Sequence, residues 1–91
     1  MLIEVAAKEY YVEIEVRKFT RKTIRSYRNN LNLFVRFCKE VAGVEEMDDL
    51  TLALVRRFSL FMSEKGRKGS YINSLLKVVK AFIQYCYEEG Y

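Results

Sequence analysis

Groups that could move a proton, hold a metal or attack a substrate are few in this 91-residue chain: Cys38 and Cys86, seven tyrosines, and the paired carboxylates Glu45 with Glu46 and Asp48 with Asp49. Histidine is absent. Without it the Ser-His and Cys-His nucleophile arrangements and most zinc sites cannot be assembled. The two cysteines are separated by 47 residues, which matches no metal-ligand spacing, and there is no glycine-rich phosphate loop. The paired carboxylates fall in a polar turn with no apolar pocket to raise a pKa, and negative charge placed ahead of a helix start accounts for them more simply. No tyrosine has the surroundings of a nucleophile. The expectation is a chain with no catalytic residue, no metal site and no cofactor.

Binding chemistry is better provided for. Sixteen basic residues against twelve acidic ones give a net charge of +4, a mild pull toward polyanions. The distribution says more than the sum. Residues 17–28 hold Arg17, Lys18, Arg21, Lys22, Arg25 and Arg28 without an acid, and residues 65–87 hold Lys65, Arg67, Lys68, Lys77 and Lys80 without one, while residues 40–49 are acidic. A helical wheel sets Arg21, Arg25, Arg28, Asn32, Arg36 and Lys39 along one stripe and Asn73, Lys77, Lys80 and Gln84 along another. Lys65, Arg67, Lys68, Gly69 and Ser70 lead charge and free backbone N–H groups into a helix start, a favourable place for a phosphate. Such stripes are also what solvated helix faces look like. Two acid-free stretches in different helices favour DNA, with one helix at the major groove while its neighbours grip phosphates.

The helices that must carry these residues are bracketed at both ends. There is no proline; Gly43, Gly66 and Gly90 follow amphipathic runs, and Thr20, Thr51 and Ser70 stand at N-cap positions. The pattern predicts an all-α, four-helix bundle with helices at about 2–16, 21–42, 52–65 and 71–89. The second helix would bury Ile24, Tyr27, Leu31, Phe34, Val35, Cys38 and Val41. The third would bury Val55, Phe58 and Met62 with Leu54 and Phe61, and the fourth Ile72, Leu75, Leu76, Val79, Phe82, Ile83 and Cys86. Val12 to Val16 alternate with a period of two, yet nothing else could pair as a strand, and Ile3, Ala6, Ala7, Tyr10 and Ile14 satisfy helical spacing. Residues 43–51 form a solvated acidic turn.

This length fits one domain over residues 1–91. Apolar runs are too short for a membrane span and no targeting signal is visible, which points to the cytoplasm and to buried thiols rather than a disulfide. Tyr27, Phe34, Phe58 and Phe82 sit at core spacing; Tyr71, next to the proposed Ser70 cap, is free to touch sugar or phosphate.

The order of these features resembles the N-terminal core-binding, or SAM-like, domain of phage integrases and related tyrosine recombinases. Thr20-Arg21-Lys22-Thr23-Ile24-Arg25-Ser26-Tyr27-Arg28-Asn29-Asn30-Leu31, followed by Phe34 and Phe37, is similar to the family's run S-x-x-T-hydrophobic-x-x-Y-x-x-x-L-x-x-F. Asp49-Leu50-Thr51 and Lys65-Gly66 match the bounds of its middle helix. Ser70, Ile72, Asn73, Leu76, Val79, Phe82, Tyr85 and Glu88-Glu89-Gly90-Tyr91 look like its last helix. A basic Arg21 replaces the family's small residue after Thr20.

The resemblance implies a module that grips double-stranded DNA within a larger recombinase and meets neighbouring protomers there. The catalytic residues and the nucleophilic tyrosine would belong to a C-terminal catalytic domain outside this chain, so Tyr91 is not that nucleophile. The family's reaction is DNA cutting and rejoining through a phosphotyrosine link, without a metal. The expected DNA surface is Arg21, Lys22, Thr23, Arg25 and Arg28 with Arg67, Lys68, Ser70, Tyr71, Asn73, Lys77 and Lys80. The rival reading is a helical protein-interaction module using Leu33, Phe37 and Tyr85, which lie off the main apolar stripes.

Overall fold

The computed structural model describes all 91 residues and contains four α-helices. They are α1 (Ile3–Val16), α2 (Arg21–Arg36), α3 (Leu52–Glu64) and α4 (Gly69–Glu89). Two of the predicted caps hold. The Thr23 N–H donates to the Thr20 hydroxyl and the Leu54 N–H to the Thr51 hydroxyl, each at 3.2 Å. A cap of this kind is worth about 1 kcal/mol.

In α1 the residues Ile3, Ala6, Ala7, Tyr10 and Ile14 are all buried on one face. The strand-like alternation has a simple origin: Ile14 points into the core while Val12 and Val16, at 58% and 68% exposed, point away from it. An isolated bridge between Leu2 and Glu46 is the sole β pairing. Around it the Ile3 N–H donates to the Glu45 carbonyl and the Met47 N–H to the Met1 carbonyl, which ties the acidic turn to the start of α1.

The second helix departs from the sequence expectation in its last third. After Arg36 it widens into a six-residue π segment, Phe37–Ala42, which ends at Gly43 in the left-handed region with φ +69°. A wider turn advances each residue by a smaller angle, and this rotates Val41, expected in the core, out to 50% exposure. Ile24, Tyr27 and Val35 are half-buried and Leu31, Phe34 and Cys38 fully buried. Phe37 is buried because α3 covers its flank, with Phe58 and Phe61 at ring-centroid distances of 5.3 and 5.1 Å.

Tyr85 is buried as well, with its ring 5.2 Å from that of Tyr10. Of the three residues of the rival interaction surface, two therefore belong to the core, and Leu33 is half-buried.

Helix α4 begins two residues before the predicted position. Lys68, extended at φ −70° and ψ 149°, is the N-cap, so Ser70 lies inside the first turn and does not cap it. Gly66, at φ +81°, reverses the chain after α3 and delivers it to this earlier start. Ile72, Leu75, Val79, Phe82 and Cys86 are buried as expected; Val78 and Tyr85 join them, and Leu76 and Ile83 are half-buried. All twenty buried residues form one core. The thinnest dimension of the molecule, 18 Å, corresponds to two layers of helices about 10 Å across.

Cys38 and Cys86 are free, buried thiols, and burial pushes both pKa values up to about 12. Since the thiolate is the reactive form, neither should react with a thiol-specific reagent at pH 8 in the native protein. Both should react at once in denaturant, which thiol titration measures.

Candidate nucleic-acid interface

Polar residues are concentrated on the first half of α2 because its apolar residues are confined to the opposite face. The Thr20 cap fixes the helix start, and the Thr20 hydroxyl also donates to that of Thr23 at 2.9 Å. Thr23 is thus half-buried and engaged in the cap. Arg21, Lys22, Arg25 and Arg28 are exposed. No acid occupies the first turn. Cations there oppose the helix dipole at a cost of about 0.3–1 kcal/mol each, a cost that a bound anion would reverse.

Arg21, Arg25 and Arg28 come together with Asn29 and Asn32 along an open cleft of about 690 Å³ between α2 and the end of α1, where Glu15 is the single acid. None of the three arginines pairs with a carboxylate; the ion pairs of the chain lie elsewhere, at Met1–Glu46, Arg17–Glu13, Arg36–Glu40 and Lys39–Glu4. The basic stripe read from the sequence is therefore split. Its first half is open, and its second half, Arg36 and Lys39, stands beside acids at 3.9 and 3.8 Å. The acidic turn sits beyond this second half, separated from Arg21 by the 16 residues of α2, a length of roughly 24 Å.

Beside the cleft, in an adjoining groove that shares Asn32 with it, stands a residue that the sequence reading missed. Tyr11 of α1 is half-buried, its hydroxyl donates to Asn32 Oδ1, and the Arg28 guanidinium carbon lies 5.1 Å from its ring centroid. Burial pushes the Tyr11 pKa up, with Arg28 working against the rise. Tyr11 flanks the buried face of α1, and the one signal for it was that position beside Tyr10.

At the start of α4 the Arg67, Lys68, Ser70 and Tyr71 side chains surround a shallow hollow with Gly66. The Arg67 guanidinium lies 5.9 Å from the Tyr71 ring, and Tyr71 is 39% exposed. Lys68 offers no side-chain cap, so the first N–H groups of α4 have no side-chain acceptor. Asn73, Lys77 and Lys80 are exposed on the side away from Leu75, Val79 and Phe82, while Gln84 turns to Glu88 in a 2.9 Å hydrogen bond. Arg67 and Tyr71 also line a groove with Arg36 and Lys65. Arg21, Arg25 and Arg28 line one cleft and Arg67, Lys68, Ser70 and Tyr71 another with no residue in common, and of the α2 arginines Arg36 is the one that shares a groove with Arg67 and Tyr71.

No group of three or more acidic, cysteine or histidine side chains is arranged to hold a metal ion, and no helix is long and apolar enough to cross a membrane. Compared with family models, residues 7–90 match the phage integrase, N-terminal SAM-like domain. Neither the curated proteins nor the solved structures contain a significant match.

Proposed function

The chain belongs to the phage integrase N-terminal SAM-like domain family, and from that premise we propose that it is the core-binding module of a tyrosine-type site-specific recombinase, gripping duplex DNA through α2 and α4. The observation that carries the reading is the open cleft in which Arg21, Arg25 and Arg28 meet without a carboxylate partner. Arginine suits phosphate because its planar fork of donors matches phosphate oxygens. In this reading Arg21, Lys22, Arg28, Arg67, Lys68 and Lys80 between them neutralise about five phosphates, Ser70 and Tyr71 touch the backbone, and Arg25, Asn73 and Lys77 reach base edges. The chain contributes grip and orientation; cleavage and rejoining belong to a catalytic domain, with further protomers as neighbours on the DNA.

Titration of duplex DNA into labelled protein tests this. Amide shifts should move in residues 21–29 and 67–80, and with about five phosphates engaged the log of the affinity should fall against log salt with a slope of about −4.5. Absence of binding to any duplex at low salt, or binding indifferent to salt, would overturn it.

A further inference from the structure

We propose that Tyr11 is a positioning residue for the arginine cleft, holding Arg28 and Asn32 ready for DNA; the proposal rests on the DNA-binding reading above. One side chain of α1 engages both, through its ring and its hydroxyl, and they stand one turn apart on α2. An arginine loose in solvent gives up rotamer freedom when it binds, whereas one already stacked gives up less. Burial keeps the Tyr11 hydroxyl a donor, and with its oxygen engaged Asn32 presents its N–H₂ group. The cleft then offers donors from Arg21, Arg25, Arg28 and Asn32, which suits the acceptor oxygens of phosphate. The contact also holds the Arg28 guanidinium against Tyr11 of α1, while Arg21 and Arg25 line the same cleft as Arg28.

The test measures duplex affinity by fluorescence anisotropy at low salt. It compares the wild type with Tyr11→Leu, Tyr11→Phe, Arg28→Ala, Asn32→Ala and the doubles of each pair. Tyr11→Leu should weaken binding roughly two- to fivefold, as expected for losing a partly exposed cation–π contact, and in the Arg28→Ala background should cost no more than Tyr11→Phe does. The Arg28 side-chain N–H resonance should move in Tyr11→Leu and stay in Tyr11→Phe. Wild-type affinity in Tyr11→Leu, or a loss undiminished in the Arg28→Ala background, overturns the proposal alone. Should Tyr11→Leu fail to fold, Tyr11→Phe decides: it should weaken binding measurably and add nothing to Asn32→Ala, and wild-type affinity overturns the proposal. A wild type that binds no duplex overturns the DNA reading and this proposal with it.

Discussion

Duplex binding by the Arg21→Ala/Arg25→Ala/Arg28→Ala variant should lose a large part of its salt dependence. Each phosphate neutralised by a protein cation releases condensed counterions and contributes about 0.9 to the slope, so losing the phosphate contacts of Arg21 and Arg28 should bring it from about −4.5 to about −2.7. At about 1 kcal/mol per contact, affinity at low salt should fall on the order of 100-fold. Folding should not suffer. The three side chains are exposed and carry no ion pair, and the cation–π contact of Arg28 with Tyr11 is opposed by relief of positive charge at the helix start, so their removal should change Tm little. Anisotropy at several salt concentrations, with a thermal melt beside it, separates a lost contact from a lost fold. A slope equal to the wild type's would move the phosphate contacts away from this cleft. The Lys77→Ala/Lys80→Ala pair measures the share of α4 in the same way.

Phe58→Ala should destabilise the domain by about 3–5 kcal/mol, the cost of deleting a large buried ring and leaving a cavity. Phe58 is 1% exposed and its ring meets those of Phe34 at 5.2 Å and Phe37 at 5.3 Å. It therefore joins α3 both to α2 and to the π segment that continues it. Since small domains are held by about 5–15 kcal/mol in total, the variant should stand close to its unfolding threshold, with a denaturation midpoint far below the wild type's. Truncation of Leu60, two residues further on and 61% exposed, should change stability by less than about 0.5 kcal/mol. Equal midpoints for the Phe58 variant and the wild type would contradict the packing described.

These two expectations draw on features of unequal legibility in the amino-acid sequence. Caps and periodicity are local properties, so Thr20, Thr51 and the glycines bounded the helices, and the five core residues of α1 were all identified from spacing. The Ser70 cap failed for a reason outside its neighbourhood. A serine cap is worth about 1 kcal/mol, and chain reversal at Gly66 brought the helix start to Gly69 regardless. The burial of Phe37 and Tyr85 depends on which helix covers which flank, a property of packing that a single wheel does not contain.

The candidate site divides in the same way. Clustering of Arg21, Arg25 and Arg28 was legible because they share a helix. The contribution of Tyr11 was not, since Arg28 and Asn32 meet it only when α1 lies against α2. Nor could a wheel show that Lys39 would face Glu4, which comes from another helix, although the Arg36–Glu40 pair, four residues apart, lay within its reach.

The π segment at Phe37–Ala42 carries a consequence for how this domain tolerates changes in length. Such a turn accommodates one residue more than an ordinary helical turn, so it stores a unit of slack between a stretch packed on α1 and a stretch packed under α3. Excising a single residue at Lys39 or Glu40, both exposed, would tighten the winding and swing Val41 back toward the interior. A one-residue deletion that would throw any of the other helices out of register should be absorbed at this one place.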